Sequence, residues 1–137
     1  MTKTGVVAFG GNALVEDAKH DAIWDQYETI CRTVAPLVDM IAEGWRLVIT
    51  HGNGPQVGFI LRRSELAKDE VNPVPVDYAV ADTQGAIGFM FQNAMVNALK
   101  RRGIDKPVVT LVTQTVRKNS MGAGTVSGRI DMNLDRP

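Results

Sequence analysis

The sequence contains a single cysteine, Cys31, among its 137 residues. One thiol excludes a disulfide within the chain and a zinc site built from cysteines, and it is typical of a reducing cytoplasm. No base lies close to Cys31 in the sequence, so we interpret it as a helix-packing residue and not as a catalytic thiol. The scarcity of cysteine therefore predicts a cytoplasmic protein whose chemistry does not use a thiol.

The chain also lacks an excess of charge of either sign, because 15 Lys and Arg residues balance 15 Asp and Glu residues. This balance favours neither a nucleic-acid nor an anionic membrane partner. No run of about 18 apolar residues is present, and the first residues lead into a short strand without an export signal. We therefore expect a small-molecule partner, and any anion must be bound by local groups.

Two common nucleotide-binding motifs are missing. No G-x-x-x-x-G-K-[ST] occurs in the sequence, and no G-x-G-x-x-G follows the first predicted strand. The first absence excludes a P-loop enzyme, and the second excludes the usual dinucleotide fingerprint. The glycines at 122, 124 and 128 imitate a phosphate loop, but no strand precedes them and no clear helix follows.

Apolar patterning predicts that strands and helices alternate over the first 116 residues. We predict strands at 5–9, 45–50 and 108–112, and helices over 23–43, 56–68 and 77–102. This spacing is typical of parallel βαβ units, and the short continuous apolar runs indicate strands covered on both faces. Pro36 must kink the first helix or divide it, and Gly85 is a candidate break in the third.

Glycine-rich turns follow the first two predicted strands. They consist of Gly10, Gly11 and Asn12, and of Gly52, Asn53 and Gly54. Glycine lets backbone N–H groups approach an anion, and a following helix adds the positive end of its dipole. The carboxyl ends of parallel strands share one edge, so both turns should form one phosphate-binding site. The two asparagine amides suit a carbonyl or carbamate group, although either residue could simply occupy a left-handed turn conformation.

His51 directly precedes the second turn. It could act as an acid or base, or it could shape the turn through its backbone. Phosphoryl transfer depends on positioning and charge stabilisation more than on a proton relay. We therefore favour the backbone role and do not assign His51 to catalysis.

Three longer segments contain these turns and extend beyond them. They are AFGGNAL at 8–14, VITHGNGPQVG at 48–58 and TQGAIGF at 83–89, and Val112, Thr113 and Gln114 extend the series. In this order they resemble carbamate kinase of the amino-acid kinase family, over residues 5 to about 116. Many relatives have a lysine before the first glycine pair, whereas Phe9 stands there in this chain. That difference separates it from acetylglutamate and aspartate kinases.

The resemblance implies a three-layer α/β/α sandwich with a mainly parallel sheet, of which this chain would be the N-terminal half. It implies reversible transfer of a phosphoryl group between ATP and carbamate, with Mg²⁺ as cofactor. It also implies a homodimer and a role in fermentative arginine breakdown. The six turn residues would face the transferred phosphate and the carbamate.

The half of a carbamate kinase that binds ADP, with its charge-neutralising lysines and its organising aspartate, is absent from this sequence. We therefore divide the chain into a substrate-side half at 1–116 and a divergent, loosely ordered tail at 117–137. No catalytic residue and no metal ligand is assigned, and Lys118 is interpreted as a solvated lysine that does not replace the missing ones.

Three hypotheses follow from this division. The first is a carbamate kinase-like chain truncated by a frameshift near Arg117 and impaired in catalysis. The second is a noncatalytic module for carbamoyl phosphate binding or for dimerisation. The third is a kinase that acts on another small acid.

Overall fold

The structure is a computed structural model that describes residues 3–15 and 21–114. Two strands, β1 (Thr4–Phe9) and β2 (Arg46–His51), form a parallel sheet. A single 3₁₀ turn, Gly11–Leu14, follows β1. Three helices complete the order: α1 (Ile23–Ala42) joins the strands, and α2 (Gly54–Leu66) and α3 (Val76–Arg101) follow β2. The two predicted βα alternations of the N-terminal region are thus present.

The core lies between one face of the sheet and helices α1 and α3. Buried apolar residues of both helices meet there; they include Ile30, Val34, Val38, Ile87, Phe91, Met95 and Leu99. Cys31 is half-buried and packs against this cluster, as predicted. Ile87, Phe91, Ala94 and Ala98 form one face of α3, and all four are buried in this core.

The two faces of the sheet differ in burial. Val7 and Ile49 pack against the core, whereas Val6 is 70% exposed and Val48 is 51% exposed. The prediction that both strands are covered on both faces is therefore wrong within the described residues, because their packing partners lie on one face only. Alternate residues of a strand point to opposite faces, so every second side chain remains in contact with solvent.

Glycines end two of the helices, and neither Pro36 nor Gly85 divides the helix that contains it. Gly44 (φ 91°) and Gly103 (φ 67°) follow α1 and α3 in the left-handed conformation that ends helices. Helix α1 continues through Pro36 as one element, so the alternative of a second segment is excluded. Helix α3 also runs through Gly85 without a break.

The strand predicted at 108–112 does not form. Hydrogen bonds tie this segment to α3 instead: Thr110 Oγ1 lies 2.9 Å from the carbonyl oxygen of Gly88, and the Thr113 N–H donates to Gln84 Oε1 at 2.9 Å. β-Branched composition favours a strand only where a neighbouring strand accepts the pairing. Within the described residues the polar groups of Thr110 and Thr113 form hydrogen bonds with α3 and not with a strand. Val109 and Leu111 remain largely exposed.

The predicted tail at 117–137, with Lys118 and the three glycines, lies outside the described residues. Among the helices that the structure describes, none combines the length and the apolar character needed to cross a bilayer.

Candidate functional site

The two glycine turns lie side by side at the carboxyl edge of the sheet. Phe9 and His51, the last residues of β1 and β2, are register partners. Beyond them the Gly52 N–H donates to the Phe9 carbonyl oxygen at 2.8 Å. The prediction that both turns share one edge is confirmed. The same contact corrects one detail, because the Gly52 N–H is used by the sheet and is not a donor for an anion.

One aromatic ring of α3 supports the bases of both turns. The Phe9 and Phe91 ring centroids lie 5.3 Å apart, and the His51 ring stacks on Phe91 at 6.3 Å with an interplanar angle of 17°. Phe91 itself is buried. His51 therefore has a packing role beneath the second turn, which gives its ring a structural use.

The first turn is short. The Ala13 N–H donates to the Gly10 carbonyl oxygen at 3.0 Å and closes a single 3₁₀ turn. Leu14 ends this turn and is 1% exposed, so it anchors the turn in the core. The predicted helix α1 begins only at Ile23, so within the described residues the positive end of its dipole does not lie directly after this turn. Asn12 belongs to the 3₁₀ turn, so the left-handed alternative is excluded for it.

The second turn runs directly into a helix. Asn53 is the N-cap of α2, and its φ of −143° excludes the left-handed alternative for this residue as well. Gly54 and Gln56 lie in the first turn of α2, where backbone N–H groups have no acceptor within the helix. Pro55, between them, has no N–H to offer. This turn therefore presents backbone donors and the positive end of a 13-residue helix.

The Asn53 side chain is held by α3. Its Nδ2 donates to Thr83 Oγ1 at 2.8 Å and lies 3.4 Å from the Val80 carbonyl oxygen. Thr83 is 2% exposed, which makes it one of few buried polar residues in the described part of the chain. Thr83 begins the TQGAIGF segment, so the sequence contained its position but no signal for its role.

A second polar contact joins the helix that follows the turn to α1. Gln56 Nε2 donates to Gln26 Oε1 at 3.0 Å, and Gln26 Nε2 donates to the Asp21 carbonyl oxygen at 2.9 Å. Both glutamines are buried, and within the described residues Gln56 Oε1 has no hydrogen-bond partner. Nothing in the sequence pattern marked Gln26, because a glutamine at the start of a helix is ordinarily exposed.

Two glycines of the turns leave open space. A Cβ built on Gly10 or Gly54 meets nothing within 4 Å. Neither residue has a positive φ, so the backbone itself would accept a side chain at both positions. Gly88 shows the opposite case, because a Cβ there would lie 2.1 Å from Thr110 Cγ2. The fold thus explains the glycine at 88 and leaves room for a ligand beside the two turns.

An apolar groove of about 430 Å³ lies between the three helices, next to the glycine edge but outside it. Gln26, Gln56 and Thr83 contribute to its wall, and its aromatic and sulfur-containing lining consists of Trp24, Tyr27, Phe59, Phe89 and Met90. Arg63 is the charged residue of this otherwise mainly apolar lining. Within residues 3–15 and 21–114, no group of three or more His, Cys, Asp or Glu residues could hold a metal ion.

No protein-family model matches the chain, but individual proteins similar to it in sequence are carbamate kinases. It is 42% identical to the carbamate kinase of Thermococcus kodakarensis over 117 residues, which are 83% of this chain and 37% of that protein. It is 46% identical to carbamate kinase 1 of Enterococcus faecium over 85% of this chain and 37% of that protein. A carbamate kinase-like protein of Escherichia coli is 45% identical over 89% of this chain and 39% of its own length.

Solved structures show the same likeness in fold. A carbamate kinase from Giardia lamblia bound to AMP-PNP superposes with a TM-score of 0.71 at 30% identity, over 76% of this chain and 36% of that one. A crystal structure from Aeropyrum pernix superposes with a TM-score of 0.70 at 37% identity, over 78% of this chain and 35% of that one. The chain therefore spans less than two-fifths of the length of these relatives.

Proposed function

We propose that the two glycine turns bind carbamoyl phosphate, since this chain belongs to the carbamate kinase family and spans its N-terminal portion. One observation carries the proposal: neighbouring turns at the carboxyl edge keep glycines at Gly10 and Gly54 where the fold does not need them. A ligand that requires close approach of the backbone gives those glycines a purpose.

The second turn supplies the groups that suit the phosphoryl oxygens. The Gly54 and Gln56 N–H groups lie in the first turn of α2, where the helix dipole favours an anion. Each charge-assisted hydrogen bond contributes about 1.5 to 3 kcal/mol, so a few such donors hold a small phosphate without a cationic patch. The first turn, with Gly10, Gly11 and Asn12, closes the other side of the site.

The complete reaction is transfer of a phosphoryl group between ATP and carbamate, in which this portion binds and orients the carbamoyl phosphate side. We assign ATP or ADP, with Mg²⁺, to the portion of the relatives that this chain does not span. The described residues offer no cluster that would hold the metal, so no step here is attributed to it. Assembly as a homodimer, a cytoplasmic location and a role in arginine breakdown belong to the same proposal.

Binding tests the proposal directly. A ¹⁵N-labelled 137-residue chain is titrated with inorganic phosphate and with freshly dissolved carbamoyl phosphate, and amide shifts are followed by NMR. We expect shifts at the two turns, and we expect Gly54→Ala to abolish them because its Cβ occupies the ligand space. Gly58→Ala is the matched control, since its Cβ also meets nothing within 4 Å and lies one helical turn further along α2. Absence of binding by the unsubstituted chain overturns the proposal.

Turnover separates the kinase from the noncatalytic module. The chain is mixed with carbamoyl phosphate, ADP and Mg²⁺, and ATP formation is compared with that of a full-length carbamate kinase. Loss of charge-stabilising groups lowers phosphoryl transfer by about 10³ to 10⁵. We expect a deficit of at least this size, which with retained binding favours the noncatalytic module. Turnover near that of the full-length enzyme would contradict the impairment.

A further inference from the structure

We propose that Thr83 fixes the orientation of the Asn53 amide so that its oxygen faces the ligand and selects a carbamoyl group over an acyl group without N–H. Thr83 is thus a positioning residue, and Asn53 is the residue that determines specificity. This inference rests on the proposed function and deepens it, because it names the amino group as the part of the ligand that Asn53 recognises.

The hydroxyl of Thr83 has one hydrogen to donate. Its Oγ1 lies 2.9 Å from the carbonyl oxygens of both Ala79 and Val80. Both of these atoms can only accept, so the hydrogen points back into the helix. Towards Asn53 the Thr83 oxygen can then act only as an acceptor, and the group at 2.8 Å must be the Asn53 NH₂.

The reverse orientation of the amide meets two obstacles. It would place Asn53 Oδ1 at 3.4 Å from the Val80 carbonyl oxygen, where two acceptors repel each other. It would also require Thr83 to withdraw its hydrogen from the helix carbonyls. Hydrogen-bond partners decide the orientation of an amide side chain, and here both neighbours select the same one.

The orientation of the Asn53 amide determines which end of the ligand it can recognise. The Asn53 NH₂ is committed to α3, and among the described residues Asn53 Oδ1 accepts no hydrogen bond. An amide oxygen accepts from N–H groups and gains nothing from an ionised phosphoryl oxygen, which also only accepts. Backbone N–H groups of the second turn therefore suit the phosphoryl end of the ligand. Asn53 Oδ1 suits its amino end.

Acetyl phosphate is the matching probe, because it keeps the phosphate and the carbonyl and replaces the amino group by a methyl group. A site whose acceptor hydrogen-bonds a ligand N–H binds an analogue without that N–H more weakly, because the acceptor of the site is then left unpaired. The unsubstituted 137-residue chain is titrated by NMR with carbamoyl phosphate, acetyl phosphate and inorganic phosphate. We expect carbamoyl phosphate to bind at least about tenfold more tightly than acetyl phosphate. Potassium cyanate serves as a control for lysine modification by decomposed carbamoyl phosphate.

Two substitutions at Thr83 test the positioning role. Thr83→Ser keeps the hydroxyl and should keep the tenfold preference, whereas Thr83→Val keeps the shape without the hydroxyl and should reduce the preference below about threefold. Hydrogen exchange of the Asn53 side-chain NH₂, read from its own ¹⁵N signals, reports the amide contact independently of ligand. This exchange should be slow in the unsubstituted chain and in Thr83→Ser. It can be measured in both of these proteins even if Thr83→Val does not fold.

The outcomes are distinct. Equal affinity for carbamoyl and acetyl phosphate in the unsubstituted chain overturns this inference and leaves the phosphate site standing. An unchanged preference in folded Thr83→Val, or rapid exchange of the Asn53 NH₂ in the unsubstituted chain, overturns the role of Thr83. Binding of none of the three ligands overturns the proposed function and this inference with it.

Discussion

The two glycine turns are similar in sequence and different in construction. The first is a single 3₁₀ turn held from below by the apolar side chain of Leu14. The second opens a 13-residue helix and is held from the side by polar contacts, from Asn53 to Thr83 and from Gln56 to Gln26. Apolar packing fixes position without direction, whereas hydrogen bonds also fix orientation. The first turn therefore shapes the site, and the second supplies its directed donors and acceptors.

The largest effect should come from the anchor of the first turn. Leu14→Ala removes a side chain that is 1% exposed, and large-to-small substitutions in a core cost about 2 to 5 kcal/mol of unfolding free energy. Urea unfolding of the 137-residue chain measures this cost. Leu66→Ala is the control, because Leu66 is 68% exposed and should change stability by no more than about 0.5 kcal/mol. Equal effects of the two substitutions would refute the anchoring role of Leu14.

A smaller effect should come from the helix that supports the second turn. Gly88→Ala places a Cβ 2.1 Å from Thr110 Cγ2, so Thr110 must move and loses its contact with the Gly88 carbonyl oxygen. Overpacking of this kind costs about 1 to 3 kcal/mol. Gly85→Ala is the control on the same helix, since its Cβ meets nothing within 4 Å and alanine favours helix.

The cause of that effect can be isolated with a second substitution. Thr110→Ser removes the methyl group that the new Cβ would contact, so it should recover part of the stability that Gly88→Ala loses. Chemical-shift changes should be concentrated at 104–113 and leave the Asn53 side-chain signals in place. If Thr110→Ser does not recover stability in the Gly88→Ala chain, contact with the Thr110 methyl group is not the cause of the loss.

The sequence predicted the elements that local pattern determines. The apolar runs before each glycine turn gave β1 and β2, and parallel pairing then placed Gly10 beside Gly52. The strand at 108–112 failed because a strand depends on a neighbour as well as on its own residues. The first helix begins at Ile23 as the apolar spacing predicts, so the first turn lies apart from α1, whereas the second turn opens α2 directly.

The supporting residues of the site were beyond the reach of the sequence pattern. Thr83 and Asn53 are 30 positions apart, as are Gln56 and Gln26, and no periodic pattern links them. The family resemblance identified the segments at 48–58 and 83–89 without showing that they touch. Their contact depends on how α2 and α3 pack, which is a property of the folded chain.

The smallest effect should come from the glutamine pair, and it tests whether the two turns are independent. Gln26→Leu leaves the buried Gln56 Nε2 without its acceptor, which costs about 1 to 2 kcal/mol. The double substitution Gln26→Leu and Gln56→Leu removes both side chains of the pair together with the unpaired Gln56 Oε1. Of their partners it leaves only the carbonyl oxygen of the exposed Asp21 without its donor, so the stability should return towards that of the unsubstituted chain. Amide shifts should change at 53–57 in Gln26→Leu and stay unchanged at 10–14. Equal shifts at both turns would show that they respond as one unit, and the distinction between a packed turn and a hydrogen-bonded turn would fail.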